Sequence, residues 1–201
     1  MGLLVNGEWV DKWYDTEKSD GKFVRQDSRF RDTISSAPQS KFTPEAGRYH
    51  LYVSLACPWA HRTIIFRKLK QLEDIISMSI VEAPMMENGW EFGEQGDPLY
   101  HLDYAYQLYL KADPSYEGRV TVPILWDKKT RTIVNNESAE IIRIMNDAFN
   151  DITKNKDDYY PEKFRQQIDS INDTIYENNN NGVYRSGFSK TQNSYEEAVK
   201  N

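Results

Sequence analysis

The chain has one cysteine among its 201 residues, so no disulfide can form within it and that sulfur acts as a single thiol or not at all. Three histidines, at positions 50, 61 and 101, are too scattered for a zinc motif. No apolar run approaches the roughly 20 residues of a membrane helix. The opening Met1-Gly-Leu-Leu-Val-Asn-Gly-Glu-Trp9 lacks the basic and apolar regions of a secretory signal, and Asn6 stands where a myristoylation signal favours Ser or Thr. A formal charge of −6 leaves no basic footprint for nucleic acid or an anionic membrane. No internal repeat is visible. Together these absences predict a soluble cytoplasmic protein with no nucleic-acid, membrane or metal partner.

What is present is enough to build a core: 39% of residues are hydrophobic and 13% aromatic. Residues 1–47 are polar and turn-rich, with Trp9, Trp13, Tyr14, Phe23 and Phe30 as isolated apolar anchors, and read as an extended arm. From 48 to 150 the element types alternate. Leu51, Val53 and Leu55 predict a strand, and Ala60, Ile64, Ile65, Leu69 and Leu72 a helix over 58–72. Ile76, Met78 and Ile80 alternate in a second strand, and a helix is expected over 99–111. Strands over 120–126 and 130–134 are separated by Asp127-Lys-Lys129, short enough only for a hairpin, and a third helix covers 138–149. The order β-α-β-α-β-β-α, with a parallel crossover first and an antiparallel hairpin last, is that of the α/β thioredoxin-like fold. Residues 151–160 read as a linker. Residues 161–201 read as the beginning of a helical domain: Phe164, Ile168, Ile171 and Ile175 form a stripe that runs out at Asn178-Asn-Asn-Asn-Gly182, and Tyr195–Lys200 begins another helix.

Three places carry chemistry. Cys57 ends an apolar strand and opens a helix with Pro58 in its first turn, where unpaired N–H groups and the helix dipole favour thiolate over thiol; a small buried hydrophobe would occupy the same position. Position 60 is Ala, which excludes a dithiol and leaves a mixed disulfide resolved by an external thiol. Pro123 opens what should be a central strand, where a ladder donor is lost, so a cis bond after Val122 beside the thiol is expected, an edge-strand trans proline being the alternative. Glu137-Ser138 begins the third helix, either as an ordinary N-cap or as an anion site suited to a carboxylate. His61 and Arg62 sit one turn into the first helix, and His61 is a candidate for tuning the thiol or a merely solvated side chain.

Several long segments, Arg48-Tyr-His-Leu-Tyr-Val-Ser-Leu-Ala-Cys-Pro-Trp-Ala-His-Arg-Thr63, Met86-Glu-Asn-Gly-Trp90, Arg119-Val-Thr-Val-Pro-Ile-Leu-Trp-Asp127, Asn136-Glu-Ser-Ala-Glu-Ile-Ile-Arg143 and Asn181-Gly-Val-Tyr-Arg-Ser-Gly-Phe188, resemble the glutathionyl-hydroquinone reductases, the Xi class of the glutathione transferase superfamily. The resemblance implies glutathione as co-substrate and a thiolate at Cys57 that attacks the glutathione sulfur, releases the hydroquinone and is regenerated by a second glutathione. It implies that Trp90, Arg119, Val122, Glu137 and Ser138 hold glutathione, with the Val122 backbone on its peptide and Glu137 and Ser138 on its γ-glutamyl end. It also implies that Tyr184 lies over the aromatic substrate and bonds its oxygen. Trp90, Arg119 and Tyr184 rest on the resemblance alone. Members are homodimers with a longer helical second domain, so this chain reads as a shortened form. An omega-like transferase acting on dehydroascorbate or protein mixed disulfides, and a non-catalytic module binding glutathione or a partner, are the alternatives.

Overall fold

Asn6 and Gly7 both take left-handed backbone, φ 50° and 78°, and close a two-residue turn between strands β1 (Leu3–Val5) and β2 (Glu8–Val10). Glycine adopts that geometry at no steric cost and asparagine tolerates it. The computed structural model describes residues 2–200. After the hairpin come β3 (Tyr49–Val53), α1 (Pro58–Leu69), β4 (Ile76–Ile80), α2 (Ala105–Ala112) and β5 (Gly118–Arg119). Then follow β6 (Ile124–Asp127), β7 (Thr132–Asn135), α3 (Ser138–Asp147) and the short α4 (Asn150–Thr153). The helical region holds α5 (Arg165–Ile175), α6 (Asn181–Phe188) and α7 (Gln192–Lys200).

The chain divides into two compact units, one made of the residues up to Lys12 with Ser28–Tyr159, the other of Trp13–Asp27 with the residues from Tyr160 onward. The first unit is built on a four-stranded sheet in the order β4-β3-β6-β7. β3 and β4 run parallel, joined by α1 as the crossover; β6 is antiparallel to both β3 and β7. This is the α/β arrangement expected from the element order. All five residues of β3 are buried, which fits a central strand covered on both faces rather than an alternating one. Leu55, expected inside that strand, lies in the turn after it and is 69% exposed.

Local chemistry accounts for the shifted boundaries. Asp97 is fully buried and its carboxylate accepts the amides of Leu99, Tyr100 and Leu102 and the Tyr52 hydroxyl. Those side-chain bonds replace helical ones, so α2 starts at Ala105 rather than near 99. The Gln107 side chain accepts both the Asp103 and Tyr104 amides at 2.9 Å and fixes that start. The strand expected over 120–126 is broken at Pro123, whose bond to Val122 is cis. Gly118–Arg119 joins the N-terminal hairpin in a three-stranded sheet, order β2-β1-β5, and β6 begins only at Ile124. At the β6–β7 turn, Asp127 accepts Arg48 Nε at 2.8 Å and Nη2 at 2.6 Å, Thr130 Oγ1 at 2.6 Å and the Lys129 amide at 3.0 Å. That buried, fully bonded carboxylate sets the hairpin.

The second unit has few buried side chains. Trp13, Tyr14, Phe23, Tyr184 and Phe188 form a connected ring cluster with centroids 4.5–6.0 Å apart. The asparagine run does not end the helix. Tyr176–Asn180 passes through a π-helical turn into α6, because Asn181 and Gly182 are buried and the Asn181 Oδ1 accepts Arg25 Nε at 2.8 Å. Packing here overrides the weak helix propensity of Asn and Gly. Among the described residues no helix is long and apolar enough to cross a membrane.

Candidate active site

Cys57 is the N-cap of α1. Its backbone is extended, φ −97° and ψ 113°, and Pro58 occupies the first helical position, where no N–H is needed. The Cys57 carbonyl accepts His61 N at 3.0 Å, while its own N–H donates to Ser54 O at 3.2 Å and closes the turn from β3. The thiol is half-buried, and Sγ lies 3.5 Å from the Val122 carbonyl oxygen, to which it donates. The nucleophile candidate and the residue before the cis proline are thus in direct contact across 65 positions of sequence.

A buried tyrosine holds that loop in place. The Tyr109 hydroxyl donates to Thr121 O at 2.8 Å and accepts Thr121 N at 3.2 Å and Asn136 Nδ2 at 3.1 Å. It fastens the residue before Val122 to the approach of α3, and burial pushes its phenol above the usual range. Tyr109 lies inside the helix expected over 99–111, and nothing in the local sequence assigns it this part.

At the start of α3, Glu137 is the N-cap and its Oε1 accepts Ala139 N at 3.2 Å. Ser28 Oγ donates to Glu137 Oε2 at 3.2 Å. Arg62, from the second turn of α1, reaches both anchor candidates. Its Nε and Nη2 donate to Ser138 Oγ at 2.9 and 2.7 Å, and Nη2 stands 3.6 Å from Glu137 Oε1. Arg62 also lies over the Trp59 ring, 5.2 Å from its centroid. The helix that presents the thiol therefore grips the helix end that presents Glu137 and Ser138. Neither Ser28 nor Arg62 could be assigned this part from spacing, because their partners are 109 and 76 positions away.

Arg119 and the loop that leads to Trp90 stand against the N-terminal hairpin. Trp9 Nε1 donates to Glu87 O at 2.9 Å, and its ring stacks on Tyr106 with centroids 5.1 Å apart. Gly89 has φ 80°, and a Cβ there would meet the Trp9 ring at 2.8 Å, so only glycine lets the loop before Trp90 lie flush on the hairpin. Trp90 itself is half-buried against the core, and its carbonyl accepts Ala105 N at 2.9 Å. Arg119 is buried, pairs with Leu3 in the small sheet, and donates from Nη1 to the Lys12 carbonyl.

Tyr184 belongs to the second unit. Its ring stacks on Phe23 at 5.8 Å and carries the Arg25 guanidinium 4.4 Å from its centroid. His61 is exposed on α1. The first unit therefore joins Cys57 to Val122, and the Cys57 helix to Glu137 and Ser138, by direct contacts; it holds Arg119 at the hairpin and Trp90 on the core. A carboxylate acceptor beside a hydroxyl donor and a helix N-terminus suits the ammonium and carboxylate of an amino-acid end group. No group of three His, Cys, Asp or Glu that could hold a metal occurs among the described residues.

Residues 56–148 match the family model of the glutathione S-transferase N-terminal domain. The chain is 55% identical over 202 residues to the glutathionyl-hydroquinone reductase PcpF of Sphingobium chlorophenolicum, covering 98% of this chain and 63% of that protein. The chain thus spans under two thirds of this curated relative. Among solved structures, the glutathione-S-transferase Xi from Phanerochaete chrysosporium shares 53% identity with a TM-score of 0.85, over 89% of this chain and 62% of the other. The glutathione-bound structure of YqjG, a glutathione transferase homolog from Escherichia coli K-12, shares 48% identity with a TM-score of 0.85, over 99% of this chain and 62% of the other.

Proposed function

We propose, for a chain that belongs to the glutathione transferase superfamily and matches its Xi class, that the first unit binds glutathione and reduces glutathionyl-hydroquinones through Cys57 alone. The observation that carries the reading is the thiol at the N-terminus of α1, 3.5 Å from the carbonyl that precedes a cis proline. The Val122 backbone pairs with the peptide of glutathione, and Glu137 and Ser138 take its γ-glutamyl ammonium and carboxylate. Trp90, packed on the core, and Arg119, paired with the hairpin, complete the grip. Tyr184 faces the aromatic part of the substrate and bonds its oxygen.

The chemistry needs one sulfur from the protein. The Cys57 thiol gives up its proton and its contact with the Val122 carbonyl, and the thiolate attacks the glutathionyl sulfur. A Cys57–glutathione disulfide forms as the carbon–sulfur bond to the ring breaks, and the ring carbon takes up a proton. The ring is reduced by two electrons and the two sulfurs are oxidised to the disulfide. A second glutathione thiolate attacks the glutathione sulfur of that mixed disulfide, releases oxidised glutathione and restores Cys57.

Incubation with glutathionyl-menadione, followed by intact mass measurement, tests the reading. A glutathione adduct on Cys57 that a further addition of glutathione removes is the expected result. No adduct, together with slow alkylation of Cys57 by iodoacetamide at neutral pH, overturns it and favours a binding module.

A further inference from the structure

We infer that Arg62 is a positioning residue that presets Ser138 as a hydrogen-bond donor, and so makes the α3 end select a carboxylate. The inference rests on the glutathione reading above and deepens it. A serine hydroxyl has one proton to donate and two lone pairs to accept with. Arg62 directs two N–H groups, Nε at 2.9 Å and Nη2 at 2.7 Å, onto the single oxygen of Ser138. The fork covers the acceptor side of that oxygen with positive charge and turns the hydroxyl proton away from Arg62. A hydroxyl in that state is set to donate to a ligand oxygen, and the guanidinium charge beside it disfavours a ligand ammonium.

The neighbouring Glu137 carries the opposite specification. Its carboxylate accepts Ala139 N and Ser28 Oγ, stands 3.6 Å from Arg62 Nη2, and keeps acceptor capacity for an ammonium. The two side chains thus divide the end group of a free amino acid between them, the charge to Glu137 and the carboxylate to Ser138. Arg62 enforces the division without touching the ligand. Its guanidinium is suited to this, because two N–H groups in a fixed fork can converge on one oxygen, which a lysine ammonium on its flexible stem does not reproduce. The same arginine is five positions after Cys57 on α1, so the specification of the anchor and the position of the thiol are fixed by one helix.

The test compares two probes, glutathione and glutathione whose γ-glutamyl carboxylate is converted to the primary amide, by calorimetry on the 201-residue chain. The unsubstituted chain should bind the amide weaker by about tenfold or more, since a charge-assisted bond is lost. Ser138→Ala should erase most of that ratio. Arg62→Lys should shrink it comparably, and in the Ser138→Ala background Arg62→Lys should change the ratio no further. A merely structural role would weaken both probes together and leave the ratio intact, and that result overturns the inference while the glutathione reading stands. Should Arg62→Lys melt below the assay temperature, Ser138→Ala alone decides: an unchanged ratio in that variant overturns the donor assignment. Failure of the unsubstituted chain to bind glutathione at all overturns the glutathione reading, and this inference with it.

Discussion

The two units hold themselves together by different means. In the first, polar side chains are tied across the sequence in buried or half-buried places: Arg48 to Asp127, Tyr109 to Thr121 and Asn136, Arg62 to Ser138. In the second, no apolar side chain of α5, α6 or α7 is buried among the described residues. Phe164, Ile171 and Ile175 are between 39% and 54% exposed, and the unit depends on its ring cluster and on surface ion pairs such as Arg185–Glu177. The contrast separates two demands of the proposed reaction. The proposed nucleophile and the proposed grip on glutathione, which tolerate little displacement, sit in the unit with the buried network. The residue proposed to face the aromatic ring sits in the unit with the sparser core, where variation is tolerated more readily.

The largest effect expected from this division is at Cys57. Cys57→Ser should abolish adduct formation, because a serine alkoxide is rarely populated at neutral pH, and it should leave glutathione binding measurable. Retained turnover in that variant would place the chemistry outside the first unit and break the comparison at its centre.

Next in size is the buried ion pair. Arg48 and Asp127 are 5% and 0% exposed at their side chains, and removing one partner strands the other charge. Arg48→Ala should therefore cost about 3–5 kcal/mol in a denaturant titration. The equivalent cut in the second unit, Arg185→Ala, breaks a pair that is 35% and 56% exposed and should cost under about 1 kcal/mol. Equal costs would mean that the two units do not differ as their burial implies.

Much of the first unit is legible in the sequence because its signals are local. Ile76, Met78 and Ile80 alternate where β4 lies, Asp127-Lys-Lys129 leaves room only for a hairpin, and Pro123 interrupts a strand at a place where a cis bond is expected over an edge-strand trans proline. Cys57 and Ser138 are readable for the same reason, since each is followed at once by a helix. What is hidden depends on distant partners. Arg62 reads as a helix-surface cation until Ser138 is beside it, and Arg119 as a strand-end charge until the hairpin carbonyl of Lys12 meets it. One local signal is obscured by its surroundings: Asn6-Gly7 between two short apolar runs is a hairpin turn, but the polar composition of the first 47 residues reads as an arm. The asparagine run misleads in the other direction, because the packing of Asn181 against Arg25 outweighs propensity.

A third test reads the first unit by pH. His50 is buried between Ser77 Oγ at 2.7 Å and Ser79 Oγ at 2.8 Å, and burial, with Lys128 and Arg67 adding to it, lowers its pKa from 6.5 to about 4. Below pH 6.5 the unfolded chain therefore takes up a proton that the folded chain refuses. The stability that His50 contributes is full above about pH 6.5, is lost as pH falls toward about 4 and then levels, a total of about 3 kcal/mol. His50→Gln should flatten this part of the stability profile by close to one proton, and an unchanged slope would show that the buried face of β3 is open to water.

The smallest effect is expected at Tyr184, and it tests the division of labour most finely. Tyr184→Phe keeps the ring, so its stacking on Phe23 and its contact with Arg25 persist, and only the hydroxyl is lost. The one hydrogen bond proposed to the substrate oxygen is at stake, which corresponds to a loss of up to about tenfold in the rate of adduct formation from glutathionyl-menadione. Glutathione affinity, proposed to belong to the first unit, should not move. If the variant instead weakened glutathione binding as much as it slowed the reaction, Tyr184 would be part of the grip, and the separation between a unit that holds glutathione and a unit that meets the ring would have to be redrawn.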